Sequence, residues 1–382
     1  MRKRINLLRE FSIPLLAGVV LAIVWANADH ESYHHFVHAR LIGPLSVHFL
    51  TNDIFMVFFF AIAAVEITQS FLPGGDLNPP SRGVNPLLAT VGGVVGPAAL
   101  YLLLNRFIGS PELVNGWGIP TATDIALAWL AARIVFGNNH PVIAFLLLLA
   151  IADDAIGLAI IAIFYPDPLL PSAPAWLILT GAGMAVAYIL RRSGCRDYRP
   201  YVLLGGVPAW AGLHNAHLHP ALALVFIIPF LPHAAKEKKH LFEEDLADVS
   251  PLSQFEHEWK IIVDLGLFMF GLANAGVQFS GVGTATWLVL FSLMLGKTIG
   301  IFSFGYLGEK LGFPLPNGMK CRELLIAGII AGIGFTVALF VAGEAFTDPL
   351  IQGAAKMGAL LSLFVSLFAV ILGRVLKIRR VP

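Results

Sequence analysis

The sequence predicts an all-α integral membrane protein of about twelve transmembrane helices. Three observations predict it. Hydrophobic residues make up 57% of the 382 and charged residues only 13%, against about 25% charged in a soluble domain. Apolar blocks near the roughly 20 residues that cross a bilayer recur along the whole chain. Lys and Arg are concentrated in alternate connections between those blocks. The spans are expected near 11–27, 51–70, 86–107, 121–136, 141–165, 173–190, 200–214, 217–231, 259–277, 285–307, 322–345 and 351–374. No separate soluble domain is visible, so residues 1–382 read as a single membrane domain. A formal net charge of +1 offers nothing to nucleic acid.

Arg2, Lys3, Arg4 and Arg9 precede the first span, and no small-residue cleavage site follows it, so it is read as retained. The connection Asp29 to His48 holds His30, His34, His35, His38 and His48. No pair of them has acidic or cysteine company at a recognised ligand spacing, so no metal site is expected there. Span four begins at Pro120, which discourages a continuous helix. Thr123 and Asp124 follow as capping types, and the apolar stretch after them is short. Span five, from Pro141 to Tyr165, carries Asp153 and Asp154 side by side. Basic connections follow spans six (Arg191, Arg192, Arg196, Arg199), eight (Lys236, Lys238, Lys239) and ten (Lys310, Lys320, Arg322). The stretch Pro232 to Lys260 reads as a solvated linker between two halves. Span ten holds Lys297, taken as the one lysine well inside an apolar run. Span eleven is weakened by Gly328, Gly332 and Gly334, which serve helix packing equally well. Arg374, Lys377, Arg379 and Arg380 follow span twelve. An even count places both basic termini on one side, the cytoplasmic side by the positive-inside rule. Cys195 and Cys321 then fall in cytoplasmic connections, where no disulfide is expected.

Carboxylates at membrane depth are expensive and mark ion paths or proton relays. Asp153 and Asp154 project about 100° apart on a helix, so they cannot face one partner equally. Two close carboxylates cannot both ionise cheaply and titrate as a coupled unit. That suits a site where protons and a cation compete for the same oxygens. Lys297 needs a carboxylate partner, and either aspartate qualifies. Asp124 fits a binding site at an interrupted span and equally an ordinary N-cap. No phosphate-binding loop appears, so ATP is not expected to drive the cycle. Hard oxygen ligands with titratable groups point to an ion-coupled secondary transporter rather than an enzyme.

Five stretches, in order and at similar spacing, resemble the NhaA family of sodium/proton antiporters. They are Ala122-Thr123-Asp124-Ile125-Ala126, Ala152-Asp153-Asp154, Ala273-Asn274-Ala275-Gly276-Val277, Gly296-Lys297 and Ala331-Gly332-Ile333-Gly334-Phe335-Thr336. Asn52-Asp53 in span two adds to them. The resemblance implies twelve helices, with spans 3–5 (86–165) and 10–12 (285–374) as inverted repeats forming the ion-translocating core, a property known of that family. Spans 1–2 and 6–9 (11–70 and 173–277) would form the dimer and interface part. Spans four and eleven would be broken and cross near the midplane, with Asp124 and Lys297 compensating the helix-end dipoles. Asp154 matches the principal sodium-ligating aspartate, Asp153 the carboxylate paired with the lysine at Lys297, and Thr123 a residue lining the site. The resemblance further implies electrogenic exchange of sodium or lithium for protons in a cell inner membrane, serving pH and sodium homeostasis. It implies no cofactor beyond the transported ions. It also implies a homodimer built partly on a hairpin near Ile42 to Leu50.

The chain departs from that family around its pH-response residues. Glu66 matches, but Gln69 and Ser70 stand where an arginine and a glutamate are usual. Glu256 and His257 are kept, while Lys260 replaces a histidine. Span eight offers His214, His217 and His219 where one histidine is usual, and His217 is taken as the candidate. Asp264 is an added carboxylate in span nine, where a usual proline is missing. Two other readings are a sodium-coupled symporter of an organic anion and a non-transporting sensor. The first lacks internal basic residues besides Lys297, and the second rests only on the altered span-two cluster.

Overall fold

The computed structural model describes residues 13–42, 45–72, 80–165, 173–233, 250–316, 318–376, 378 and 380. The N-terminal basic cluster, Lys236, Lys238, Lys239, Lys377 and Arg379 lie outside them. Among the described residues, six helical segments are long and apolar enough to cross a membrane: Val47–Phe71, Gly83–Ile108, Pro141–Phe164, Pro174–Arg192, Thr284–Lys310 and Pro349–Val375. Two bent pairs, Pro111–Thr121 with Ile125–Phe136 and Cys321–Ala331 with Thr336–Ala345, raise the number to eight if each is one span.

Four expected spans do not meet that test among the described residues. The first is described only from Ile13, as the 16-residue helix Ile13–Ala28. The seventh is a π-helical turn, Tyr201–Gly206, running into Val207–Asn215. The eighth is two 3-10 pieces, Pro220–Phe226 and Ile228–Phe230, each with proline near its start. The ninth, Pro251–Asn274, is long, but Glu256, Glu258, Lys260 and Asp264 lower its hydropathy. One small departure from all-α structure is an antiparallel pair, Arg40–Ile42 with Leu45–Ser46.

The chain forms two compact units. The first comprises Met1–His34, Pro80–Gly157 and Gly271–Pro382. Its framework is a backbone-to-backbone contact. Gly92 and Gly96 on Pro80–Ile108 face Gly300 and Gly296 on the segment Thr284–Lys310, so closely that a Cβ at Gly92 or Gly300 would collide with the other's carbonyl oxygen. Small residues allow such approach inside a membrane, where van der Waals contact drives association. Asn85 fastens one end, donating from Nδ2 to Gly305 O (3.1 Å) and Phe313 O (2.7 Å). Tyr33 fixes the end of Pro251–Asn274: its hydroxyl donates to Leu272 O (2.8 Å) and accepts from Gly276 N (3.1 Å). Burial pushes that hydroxyl up to about 12, the Gly276 bond opposing, so it remains a donor.

The second unit comprises His35–Pro79 and Leu158–Phe270. Gly183 lets the helix Leu177–Arg192 touch the backbone at Gly205. Trp259 stacks on Phe58 with ring centroids 3.7 Å apart, and Trp210 Nε1 donates to Asp53 O (3.1 Å).

The glycine contact is testable by thermal unfolding of the purified protein in detergent. Gly300→Val should lower stability by about 1–3 kcal/mol or more through overpacking. Gly353→Ala, which meets nothing within 4 Å, should leave the midpoint unchanged or raise it slightly, because alanine favours a helix over glycine.

Candidate functional site

The site forms where two helices stop in the first unit. The 3-10 segment Pro111–Thr121 ends at Thr121, and Ile125–Phe136 begins after three non-helical residues, bent by 58°. Cys321–Ala331 ends before Gly332, and Thr336–Ala345 resumes with a bend of 50°. Pro120 and the glycines are the sequence causes. The two breaks meet, since Asp124 N donates to Ile333 O at 2.7 Å.

Helix ends leave backbone N–H and C=O groups without partners. Asp124 serves two N-termini at once. Its Oδ1 accepts from Leu127 N (3.0 Å) in the first turn of Ile125–Phe136. Its Oδ2 accepts from Thr336 Oγ1 (3.0 Å) and Thr336 N (3.4 Å) at the start of Thr336–Ala345. Its two carboxyl oxygens thus sit at two helix N-termini, the positive ends of the helix dipoles. The capping reading and the dipole-compensating reading of Asp124 describe the same contacts.

Lys297 serves a carbonyl end. It lies fully buried just past a π-helical turn, Ser292–Gly296, a distortion common at functional sites. Its Nζ donates to Thr121 O (2.5 Å), the last residue of the 3-10 segment, and to Asp153 Oδ2 (2.6 Å). Thr123 Oγ1 lies 2.7 Å from the same Asp153 oxygen and 2.9 Å from Ala331 O. Its single proton serves one of these acceptors at a time. The other Asp153 oxygen, Oδ1, is buried and has no hydrogen-bond partner among the described residues. Asp154 is only partly buried, and its charge acts on Lys297 as well. The two aspartates are therefore inequivalent: Asp153 is held in a buried ion pair and Asp154 is the more open. The Asp153 Oδ1 oxygen and the Thr123 hydroxyl, with Asp154 next in the chain, are hard oxygen donors of the kind a small cation takes.

A second buried lysine, Lys356 in Pro349–Leu361, corrects the reading of Lys297 as the one lysine deep in an apolar run. The signal was present in Ala354-Ala355-Lys356-Met357-Gly358. It was obscured by the polar Gln352 and Asp348 shortly before it.

The candidate pH-response residues lie in the second unit. Gln69 Nε2 donates to Glu256 Oε2 (2.8 Å). Glu256 also lies 4.0 Å from Lys260. Tyr198 hydroxyl donates to Glu258 Oε2 (2.5 Å). Glu66 is partly buried and His257 exposed. His217 sits in a turn at φ 60°. The histidine built into the fold there is His219, buried, its Nδ1 accepting from Ala221 N (3.2 Å). Among the described residues no group of three or more His, Cys, Asp or Glu could hold a metal ion.

The family model described as Na+/H+ antiporter 1 matches residues 5–376 of this chain. The chain is 71% identical over 380 residues to the Na(+)/H(+) antiporter NhaA of Geotalea uraniireducens (strain Rf4), covering 100% of this chain and 98% of that one. It is 68% identical over 382 residues to the Na(+)/H(+) antiporter NhaA of Geobacter sulfurreducens (strain ATCC 51573 / DSM 12127 / PCA), covering 100% of both. The chain belongs to the Na+/H+ antiporter 1 family.

The buried pair can be measured by a double-mutant cycle on unfolding. Lys297→Met alone strands Asp153 and should cost roughly 3–5 kcal/mol. Adding Asp153→Leu should recover most of that loss. Additive losses would mean that the two side chains do not act as a pair.

Proposed function

We propose that this protein exchanges sodium or lithium for protons across a membrane by alternating access, with Asp153 and Asp154 as the carboxylates for which proton and cation compete. Membership of the antiporter family supports the exchange. The observation that carries the site is the cluster of Lys297, Asp153 and Thr123 at two facing helix breaks.

In this reading a cation arrives at Asp154, the more open carboxylate, and draws on Asp153 Oδ1 and the Thr123 hydroxyl. Asp153 then shares its charge with the cation. Lys297, left in an apolar surrounding with a weakened partner, becomes costly to keep charged and gives up a proton. Cation departure restores the ion pair and the proton. Asp124 caps its two helix ends and holds the crossing in place. Asp154 gives up a proton of its own when the cation arrives and Lys297 gives up a second, so two protons leave for each cation and the cycle is electrogenic. The protein needs no cofactor and no ATP, and works as a homodimer that includes the Arg40–Ser46 hairpin. It lies in the inner membrane with both termini cytoplasmic, and serves pH and sodium homeostasis.

The test uses purified protein in liposomes with an internal pH dye and an imposed pH gradient. Sodium or lithium should collapse the gradient, and potassium should not. Asp154→Asn should reduce the response to background while unfolding like the wild type; retained exchange would remove Asp154 from the site. A second expectation concerns activation by alkaline pH. With Gln69 and Ser70 in place of charged groups, the activation curve should be shallower or shifted, and restoring both with Gln69→Arg and Ser70→Glu should steepen it. The rate of gradient collapse across a pH series reads this directly.

A further inference from the structure

The helix that carries Asp153 and Asp154 begins at a histidine. We propose that His140 is a proton-sensitive cap that positions this helix and releases its first turn when the imidazole is protonated.

His140 lies in the connection between Ile125–Phe136 and Pro141–Phe164, outside both, and is 7% exposed. Its Nδ1 accepts from Val142 N at 3.2 Å, while its carbonyl accepts from Ile143 N at 2.9 Å. Pro141 follows it at the first helical position, where a missing N–H costs nothing. The ring lies against Phe136, centroids 5.0 Å apart. The contact holds only while Nδ1 carries no proton. The neutral imidazole accepts with one nitrogen, and the imidazolium donates with both. A protonated ring also adds positive charge at the positive end of the helix. Protonation therefore removes the cap and repels the helix end together.

Glu323, on Cys321–Ala331, favours the protonated ring electrostatically, and its Oε2 accepts from Lys320 N at 3.0 Å. Lys320 and Arg322 are exposed. Arg133, in the last turn of Ile125–Phe136, donates to Asn138 Oδ1 (2.6 Å) and lies over the Trp129 ring. Burial lowers the His140 pKa below its ordinary value and Glu323 raises it, with burial the larger cause. The sign follows: the cap's contribution is complete above the unfolded value of about 6.5 and is lost as pH falls through and below it. The same His-Pro arrangement recurs at His219-Pro220, where His219 Nδ1 accepts from Ala221 N. The His140 cap lies on the helix that carries Asp153.

The effect on exchange rests on the antiport reading above; the effect on stability does not. The experiment compares wild type, His140→Asn and His140→Ala in two measurements from pH 5 to 8. One is the thermal unfolding midpoint in detergent, and the other is sodium-driven gradient collapse in liposomes. Asparagine caps helices without titrating. The midpoint of His140→Asn should therefore fall less than that of the wild type between pH 7 and 5. Its exchange rate at pH 5.5, relative to its own value at pH 8, should exceed the wild-type ratio by about fivefold, the factor expected for losing one cap. His140→Ala should already show the reduced midpoint at pH 8. Superimposable wild-type and asparagine profiles in both measurements would overturn the proposal. Absence of exchange in all three proteins, with the stability difference intact, would count against the antiport reading and leave the cap standing.

Discussion

Two helices that stop inside an apolar layer create a debt of unpaired backbone groups, and the rest of the site depends on how those groups are satisfied. Lipid offers no hydrogen bonds, so non-helical backbone at membrane depth survives only where protein supplies the partners. Here the two breaks supply one another. Asp124 N reaches Ile333 O, and the Asp124 carboxylate closes the N-terminal turns of Ile125–Phe136 and Thr336–Ala345 together. Lys297 closes the opposite, carbonyl end at Thr121. Each charged group is stabilised by a helix terminus, and each terminus needs its charge.

That arrangement makes the aspartate pair unequal. Asp153 is tied to the framework through Lys297 and Thr123, whereas Asp154 keeps partial access. In the proposed exchange, a cation that loosens this ion pair couples its own binding to proton release. The glycine contact between Gly92, Gly96, Gly296 and Gly300 makes this possible. It brings the Lys297 backbone close enough for a lysine side chain to reach both Asp153 and the end of the broken span.

The second unit shows how a changed charge cluster can keep its contacts. Gln69 donates a hydrogen bond to Glu256, and Lys260 stands four residues on from that carboxylate. A neutral donor holds the geometry without contributing a charge that responds to its neighbours. His219, rather than His217, is the histidine integrated into a helix start there.

Composition and block length by themselves determined that this chain is a multi-pass helical membrane protein. Local residue chemistry marked the places where it is irregular. Pro120 and the glycines of span eleven announced the breaks, and Asp153, Asp154, Asp124 and Lys297 stood out because charge is rare in apolar surroundings. These signals are readable because each depends only on near neighbours in sequence. Tertiary structure decided which groups meet. That Asp153 rather than Asp154 holds Lys297, and that Asp124 caps a helix 212 residues away, depends on which helices approach and how they rotate. Lys356 was missed because its burial comes from packing against other helices, not from the apolarity of its own segment. His140 was missed because an imidazole becomes a cap only once its backbone and ring are placed. Span seven, eight and nine boundaries were blurred for a related reason. Prolines, π turns and charged residues break the uniform hydropathy on which a span count relies, while the surrounding helices still hold those segments in place.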